Sequence, residues 1–597
     1  MGRTGHNLRG VNSNMRRFSL ISVGMAVALT ASLLIPTAAS AAKTYEIQVT
    51  PYTIETKHGT IYTEVAHPVR DGKIVKGPVI LTYSPYSALG RDNGRDRWVP
   101  KGYHVAYADL VGTGNSGGCY DYGGNREKDT AHDIVEWMGS QKWSTGKVGM
   151  IGGSYDGTTQ HAAASTHPKY LKTIIPEASI ARWYDYAYRG GIRYFLNNEN
   201  PADEGFDTPL AFSFGLALPP PVDVEDPTWA DRVGSSITPC DELTHIEHGY
   251  DVTPDYDEFW IERDYERTAH TVKLPVLISH NWGDWNVKQA NSWDMFKAYP
   301  NAKMFFGDRY TGHGTPDGKY DQTVDAWFDH YLKGVDNGIE KLPRITSEVS
   351  DYDGAMKYLS ANRVKTSPIK LYAQETPRTS AADYQWKLLP TKPMAGLRSS
   401  TASFPAAGIN TESHSNHHAR NNHDWFWFES PAMKKDTRIF GEIKVKMYLS
   451  TQREWVTLTP VIVDIDMECH DTVAGQHIAQ PECSPRNLYS VTRGWLDTRY
   501  RQGLDKQVLL DAGVPFQTTV VQNPQDYVFR KGHHIGLNFS TEINEWSLPK
   551  PYDCAAASDP AACLNVEVKW LEGKTQVILP VVNAPKDPKD LFDYNHH

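Results

Sequence analysis

At 597 residues the chain exceeds what one hydrophobic core holds together, so two or three domains are expected. Hydrophobic residues at 40% and charged residues at 22% exclude a disordered chain, and a formal net charge of −10 leaves no basic footprint for nucleic acid. The 17 Trp and 32 Tyr suit a peptide- or carbohydrate-binding surface and equally a large β domain.

The chain opens on a targeting pattern. Arg16 and Arg17 precede an apolar run from Phe18 to Ile35, and Ala39-Ser40-Ala41 offers small residues for cleavage. That order predicts a secretory signal over residues 1–41 and a secreted, extracellular protein with no stable membrane anchor after cleavage. The six cysteines are even in number, which in an exported chain suggests disulfides. Cys469 with Cys483 and Cys554 with Cys563 are the pairs nearest in sequence, and Cys119 with Cys240 would bridge a loop. No C-x-x-C spacing points to zinc, and neither a metal nor an organic cofactor is implied.

Tyr45 to Val69 alternates like antiparallel strands. Gly77 to Tyr83 and Tyr103 to Asp109 read as buried strands, the second followed by a glycine-rich loop, Gly112 to Gly118. That loop lacks the spacing of a phosphate cradle. Asp129 to Met138 reads as an amphipathic helix. Val148, Met150 and Ile151 form an apolar run that stops at Gly152-Gly153-Ser154-Tyr155-Asp156-Gly157, ahead of an alanine-rich helix. A serine on a sharp strand-to-helix turn is a nucleophile elbow. Leu171 to Pro176, Leu274 to His280 and Ala302 to Gly307 continue the strands, the last being the final clear one, and Asp321 to Leu332 reads as a closing helix. Strand, helix and strand at these intervals predict a doubly wound α/β sheet.

Between residues 177 and 271 the pattern breaks into aromatic clusters and a proline run, as expected of a cap inserted above the carboxyl ends of the strands. From Ile345 short alternating strands replace helices: Lys370 to Ala373, Phe440 to Ser450, Val456 to Asp464, Val508 to Leu510, Phe516 to Val521, His534 to Ser540, Val566 to Trp570 and Gln576 to Val581. They predict a β-sandwich over 346–597. The α/β core is then 42–176 and 272–345, interrupted by the cap.

Acyl transfer needs a nucleophile, a base and an acid that orients the base. Ser154, Asp284 and His313 each follow a predicted strand, in the chain order Ser, Asp, His. Ser154 would attack the carbonyl, His313 would act as base and then acid, and Asp284 would hold the imidazole. Asp308 and Asp317 are rivals for the acid, His280 and His330 for the base. The backbone N–H of Tyr155 is the first oxyanion donor. The loop after the first buried strand offers the Tyr86 hydroxyl, which spacing alone does not separate from a packed tyrosine.

The chain resembles the X-Pro dipeptidyl peptidase and cocaine esterase group of serine hydrolases over essentially its whole mature length. The pieces that carry the resemblance are Ser84-Pro85-Tyr86, Gly152 to Gly157, Asp284 in Gly283 to Lys288, Gly312-His313 and Trp327 to Gly334. Arg493 to Arg501 and Gly532-His533-His534 complete them. The resemblance implies an α/β-hydrolase with a helical cap and a C-terminal jelly-roll, and an oxyanion-hole role for Tyr86. Ala181 to Arg189 is similar to the aromatic segment of the dipeptidyl peptidases, which marks Trp183, Tyr184 and Tyr188 as candidates for a proline pocket. Asp185 and Glu177 are candidates for a substrate ammonium. The expected partner is a peptide or a small acyl or ester substrate; the peptidase leads, a carboxylesterase or amide or β-lactam acylase is the alternative, and a homo-oligomer is left open.

Overall fold

Strands β1 (Glu46–Thr56) and β2 (Gly59–Arg70) form an antiparallel hairpin, with β1 largely exposed at the edge of a sheet. The computed structural model describes residues 45–86, 94–194, 240, 248–249, 251, 254–307, 312–316, 319–351, 357–375, 386–393, 399–405, 426–473, 476–540, 565–571 and 573–594.

Next come β3 (Gly77–Ser84), β4 (His104–Asp109), β5 (Ser144–Gly153), β6 (Leu171–Glu177), β7 (Val276–Asn281) and β8 (Ala302–Gly307). They are followed by β9 (Ile345–Asp351) and β10 (Lys357–Ala361). The spatial order is β1-β2-β4-β3-β5-β6-β7-β8-β9-β10, parallel from β4 to β9 and antiparallel at both ends. Parallel strands covered on both faces read as continuous apolar runs, and β3 and β7 are buried at every position. The sheet does not stop at Ala302–Gly307, as the sequence suggested. Two further strands extend it, and Met304 to Phe306 pair with Ile345 to Ser347.

The helices that matter here are α1 (Asn125–Ser140), α2 (Tyr155–Ser165), α3 (Trp183–Ala187), α4 (Ala290–Ala298) and α5 (Tyr320–Phe328). The predicted closing helix loosens after Phe328 into a wider turn over Asp329–Lys333. α1 and α2 pack against each other and on the sheet, where Ala131, Ile134, Val135 and Met138 join the main core. Most of the predicted cap lies outside the described residues.

The C-terminal half is mostly antiparallel β with a core of its own, built on Leu371, Phe428, Val445, Ile462, Leu537 and Trp570. Several strands match their predicted ranges, Phe516–Val521 and His534–Ser540 among them. Phe440 to Ser450 is two strands, not one: the chain breaks after Gly441, whose φ of 106° suits only glycine, and resumes at Lys444. Val508 to Leu510 is not a strand. Its N–H groups go to Arg499 and Glu454 carbonyls instead of a ladder. Cys119 and Cys240 form a disulfide. The strand register sets Cys469 opposite Cys483; Cys554 and Cys563 lie outside the described residues.

Candidate active site

Ser154 stands between β5 and α2 with φ 60° and ψ −125°, a strained backbone for a residue with a Cβ. Such strain persists only where the surroundings enforce it. Here the Ser154 N–H donates to the Glu177 carbonyl, and the Ser154 carbonyl starts α2 by accepting from Gly157 and Thr158. A Cβ at Gly157 would lie 2.8 Å from both the Glu177 carbonyl oxygen and the Ser179 Cβ, so glycine is what lets α2 close onto β6. The side chain thereby stands at the carboxyl edge of the sheet, ahead of a helix N-terminus.

Asp284 follows β7 and His313 follows β8. Their side chains meet, with His313 Nδ1 2.7 Å from Asp284 Oδ2. The other carboxylate oxygen, Oδ1, accepts the backbone N–H groups of Asn286 and Val287, each at 3.0 Å. Burial would push the Asp284 carboxyl up, but hydrogen bonds from His280 and His313 outweigh it and hold it near 2. Burial would push His313 down, but Asp284 outweighs it and the imidazole is raised above its ordinary value. An anionic acid against a histidine of raised basicity is suited to general base work.

The Tyr86 hydroxyl lies 3.4 Å from Ser154 Oγ and close to the Tyr155 backbone N–H, so both expected oxyanion donors stand beside the serine. Burial, and then the charge of Asp156, push the Tyr86 phenol up to about 12, which keeps it a donor. The Tyr155 side chain points away, into the core, where its hydroxyl donates to Glu127 at 2.8 Å. Among the sequence rivals, His330 bonds the Val335 carbonyl at 3.0 Å, and Asp308 and Asp317 lie outside the described residues.

The aromatic segment is placed differently from its expected role. Trp183, Tyr184 and Tyr188 are fully buried members of the main core. Trp183 packs on Tyr122, Tyr155 and Tyr186, while the Tyr184 and Tyr188 hydroxyls donate to the carbonyls of Pro254 and His248. Through the contact of Trp183 with Tyr155 these rings pack behind the elbow. Asp185 is likewise occupied: Arg182 binds it through Nε at 2.9 Å and through Nη2, and Arg189 binds it at 3.0 Å. Burial alone would raise its carboxyl, but the two guanidiniums outweigh burial and lower it. Glu177 accepts the Tyr320 hydroxyl at 2.6 Å, and burial raises it to about 7.

Sequence reading missed two contributors. His280 contacts Asp284 from the end of β7. Arg493, from the C-terminal region, stacks 3.9 Å over the ring of Trp285, the residue after the acid. Among the described residues no group of three or more His, Cys, Asp or Glu could hold a metal ion.

Residues 59–315 match the family described as X-Pro dipeptidyl-peptidase (S15 family), and residues 337–562 match the X-Pro dipeptidyl-peptidase C-terminal non-catalytic domain. A Bacillus cereus protein provisionally named Xaa-Pro dipeptidyl-peptidase is 28% identical over 471 residues, covering 76% of this chain and 73% of its own. Two solved structures share the fold. One is an aminopeptidase from a marine sediment Thaumarchaeota archaeon, with TM-score 0.68, 15% identity and coverage of 90% and 97%. The other is a CocE/NonD family hydrolase from Staphylococcus aureus, with TM-score 0.64, 19% identity and coverage of 90% and 94%.

Proposed function

The chain belongs to the X-Pro dipeptidyl-peptidase (S15) family of serine hydrolases, and from that membership we propose a secreted peptidase that releases X-Pro dipeptides through an acyl-enzyme on Ser154. The observation that carries this reading is the hydrogen-bonded Asp284–His313 pair on the loops after β7 and β8, with the Tyr86 hydroxyl at the Ser154 oxygen. With Nδ1–H given to Asp284, the His313 Nε2 is the nitrogen left to take the Ser154 proton. Oγ then adds to the substrate carbonyl carbon, and the oxyanion receives the Tyr86 O–H and the Tyr155 N–H. The imidazolium returns its proton to the leaving amine, and water repeats the sequence to free the dipeptide. The Arg16-Arg17, apolar and Ala39-Ser40-Ala41 order supports cleavage after Ala41 and export. We further assign residues 177–271 to a helical cap and 346–597 to a jelly-roll.

One observation favours the carboxylesterase or acylase alternative. A dipeptidyl peptidase must hold a free ammonium, yet Asp185 is matched by Arg182 and Arg189, and Glu177 is engaged by Tyr320. Hydrolysis of Gly-Pro-p-nitroanilide, its N-acetylated form and a p-nitrophenyl ester decides between them, with Ser154→Ala as control. Fast cleavage of the free-amine anilide alone establishes the peptidase. Ester-only turnover, or indifference to acetylation, establishes the alternative.

A further inference from the structure

His280 is the penultimate residue of β7, and both it and Asp284 are fully buried. Its Nε2 lies 2.9 Å from the Val287 carbonyl oxygen and 3.2 Å from Asp284 Oδ2. A carbonyl can only accept, so Nε2 carries the hydrogen and shares it between the two oxygens. Its Nδ1 lies 2.7 Å from the Ser292 hydroxyl on α4, which donates to it in the neutral ring. The tautomer is therefore fixed from both sides.

Asp284 then has three hydrogen-bond donors, two backbone N–H groups on Oδ1 and His313 on Oδ2, and the His280 Nε2 stands 3.2 Å from Oδ2 as well. A carboxylate has about four acceptor positions, and the His280 contact stands at the one the three donors leave. We propose that His280 is a positioning residue of the triad, holding Asp284 ionised and turned so that the oxygen it touches is the one His313 uses. This rests on the serine-hydrolase reading of Ser154. Other groups face the cluster. Tyr186 and Lys288 are close enough to feel the Asp284 charge, with Lys288 Nζ 3.3 Å from the Tyr186 carbonyl, and the Phe306 ring of β8 packs on the imidazole. His280 is the one of these within 3.2 Å of the carboxylate, at the same oxygen that His313 uses.

The sign of the effect is determined. Without His280, Asp284 loses a donor and becomes more basic, both toward protons and toward His313. The second change raises the His313 imidazole further and so moves the acid limb of Ser154 reactivity to higher pH, whereas the first acts far below that limb. A histidine that only fills space would leave that limb in place.

The test is the second-order rate of Ser154 phosphonylation by a fluorophosphonate, followed in the full chain from about pH 5 to 9, which needs the base but no knowledge of the substrate. His280→Gln can set its amide N–H near Nε2; His280→Asn reaches only the Nδ1 position. The Gln variant is expected within about threefold of wild type. Asn and Ala are expected about tenfold slower or more, with the acid limb raised by about half a unit or more. Equal rates for Gln and Asn, or slower variants with an unmoved limb, overturn the proposal. Nitrogen NMR of histidine-labelled wild type is the check that needs no variant: a neutral Nε2–H ring at position 280 supports it, and an Nδ1–H ring refutes it. No labelling of wild-type Ser154 would mean the hydrolase reading itself had failed.

Discussion

His313 gives its Nδ1 hydrogen to Asp284 Oδ2 at 2.7 Å, which makes Nε2 the basic nitrogen of the ring. The base works only when neutral, and its pKa is raised above 6.5 because Asp284 outweighs burial. The imidazolium is thus favoured up to a pH above 6.5, and kcat/KM should fall as pH drops through that value. Asp284→Asn should lower kcat by about 10⁴-fold, since an amide neither fixes the tautomer nor balances the imidazolium. An acid limb below 6.5 in wild type contradicts this account of the pair.

In the proposed mechanism the Tyr86 hydroxyl, 3.4 Å from Ser154 Oγ, meets charge that exists only in the transition state. Tyr86→Phe removes one donor and leaves the ring, so kcat should fall by about 10²–10³-fold with KM little changed. Fluorophosphonate labelling of Ser154 should persist at a reduced rate. A raised KM at unchanged kcat would place Tyr86 in ground-state binding instead.

Ser154, Asp284 and His313 could be read as candidates because each follows an apolar strand whose end the chain marks, Ser154 with three glycines and His313 with Gly312 and Gly314; of the three, the structure joins Asp284 to His313. Tyr86 was legible only through resemblance, because spacing does not say where a hydroxyl points. The aromatic segment misled for a related reason. Trp183, Tyr184 and Tyr188 have the composition of a pocket wall, and burial from both sides, which makes them core, depends on partners such as Tyr122, Tyr256 and Trp260 that are distant in sequence. Asp185 carried a readable signal on one side: Arg182 stands three residues before it, a spacing that brings side chains together on a helical turn, whereas Arg189 reaches it from the extended segment after α3. His280 was legible only as a rival for the base at a strand end, because its contact with Asp284 is made by the fold of the acid loop.

That loop is also held from the C-terminal region. The Arg493 guanidinium stacks on Trp285, and Gln525 Nε2 donates to the Trp282 carbonyl at 3.1 Å. The two contacts bracket Asp284. Arg493→Ala should therefore lower kcat by about tenfold or more as well as stability, a desolvated cation over an indole being worth about 2 kcal/mol. Arg493→Lys, which keeps the charge but not the planar stack, should fall between. The check is kcat beside the melting temperature. A variant that melts early yet keeps full kcat would show that the C-terminal region supports the fold and not the acid.

A second buried histidine cluster makes the stability of the core depend on acid. The Tyr52 hydroxyl lies 3.0 Å from His67 Nε2, His67 Nδ1 lies 2.9 Å from His104 Nδ1, and His104 Nε2 lies 3.0 Å from the Trp143 carbonyl. The carbonyl fixes the hydrogen of His104 on Nε2, so His104 Nδ1 accepts from His67, and His67 Nε2 accepts from Tyr52. Every hydrogen is used once, with both rings neutral. A second proton on either ring would set N–H against N–H or displace Tyr52. Burial, with His67 beside it adding to the shift of His104, lowers His67 to about 4 and His104 to about 3. Both folded values lie below the unfolded 6.5, so the unfolded chain binds more protons across that window. The contribution is complete above pH 6.5 and is lost as pH falls toward 4 and then 3. Asp156 and Glu127, each raised to about 8 chiefly by burial, act in the opposite sense: the stability they add at low pH declines as pH rises toward 8. The wild-type curve is therefore a sum, and the difference between wild type and His67→Gln isolates the histidine. Unfolding by urea at pH 7, 5.5 and 4.5 should show the variant weaker at pH 7 and the gap narrowing as pH falls. A gap that stays constant across those three values would mean that His67 takes up no proton on unfolding in this range.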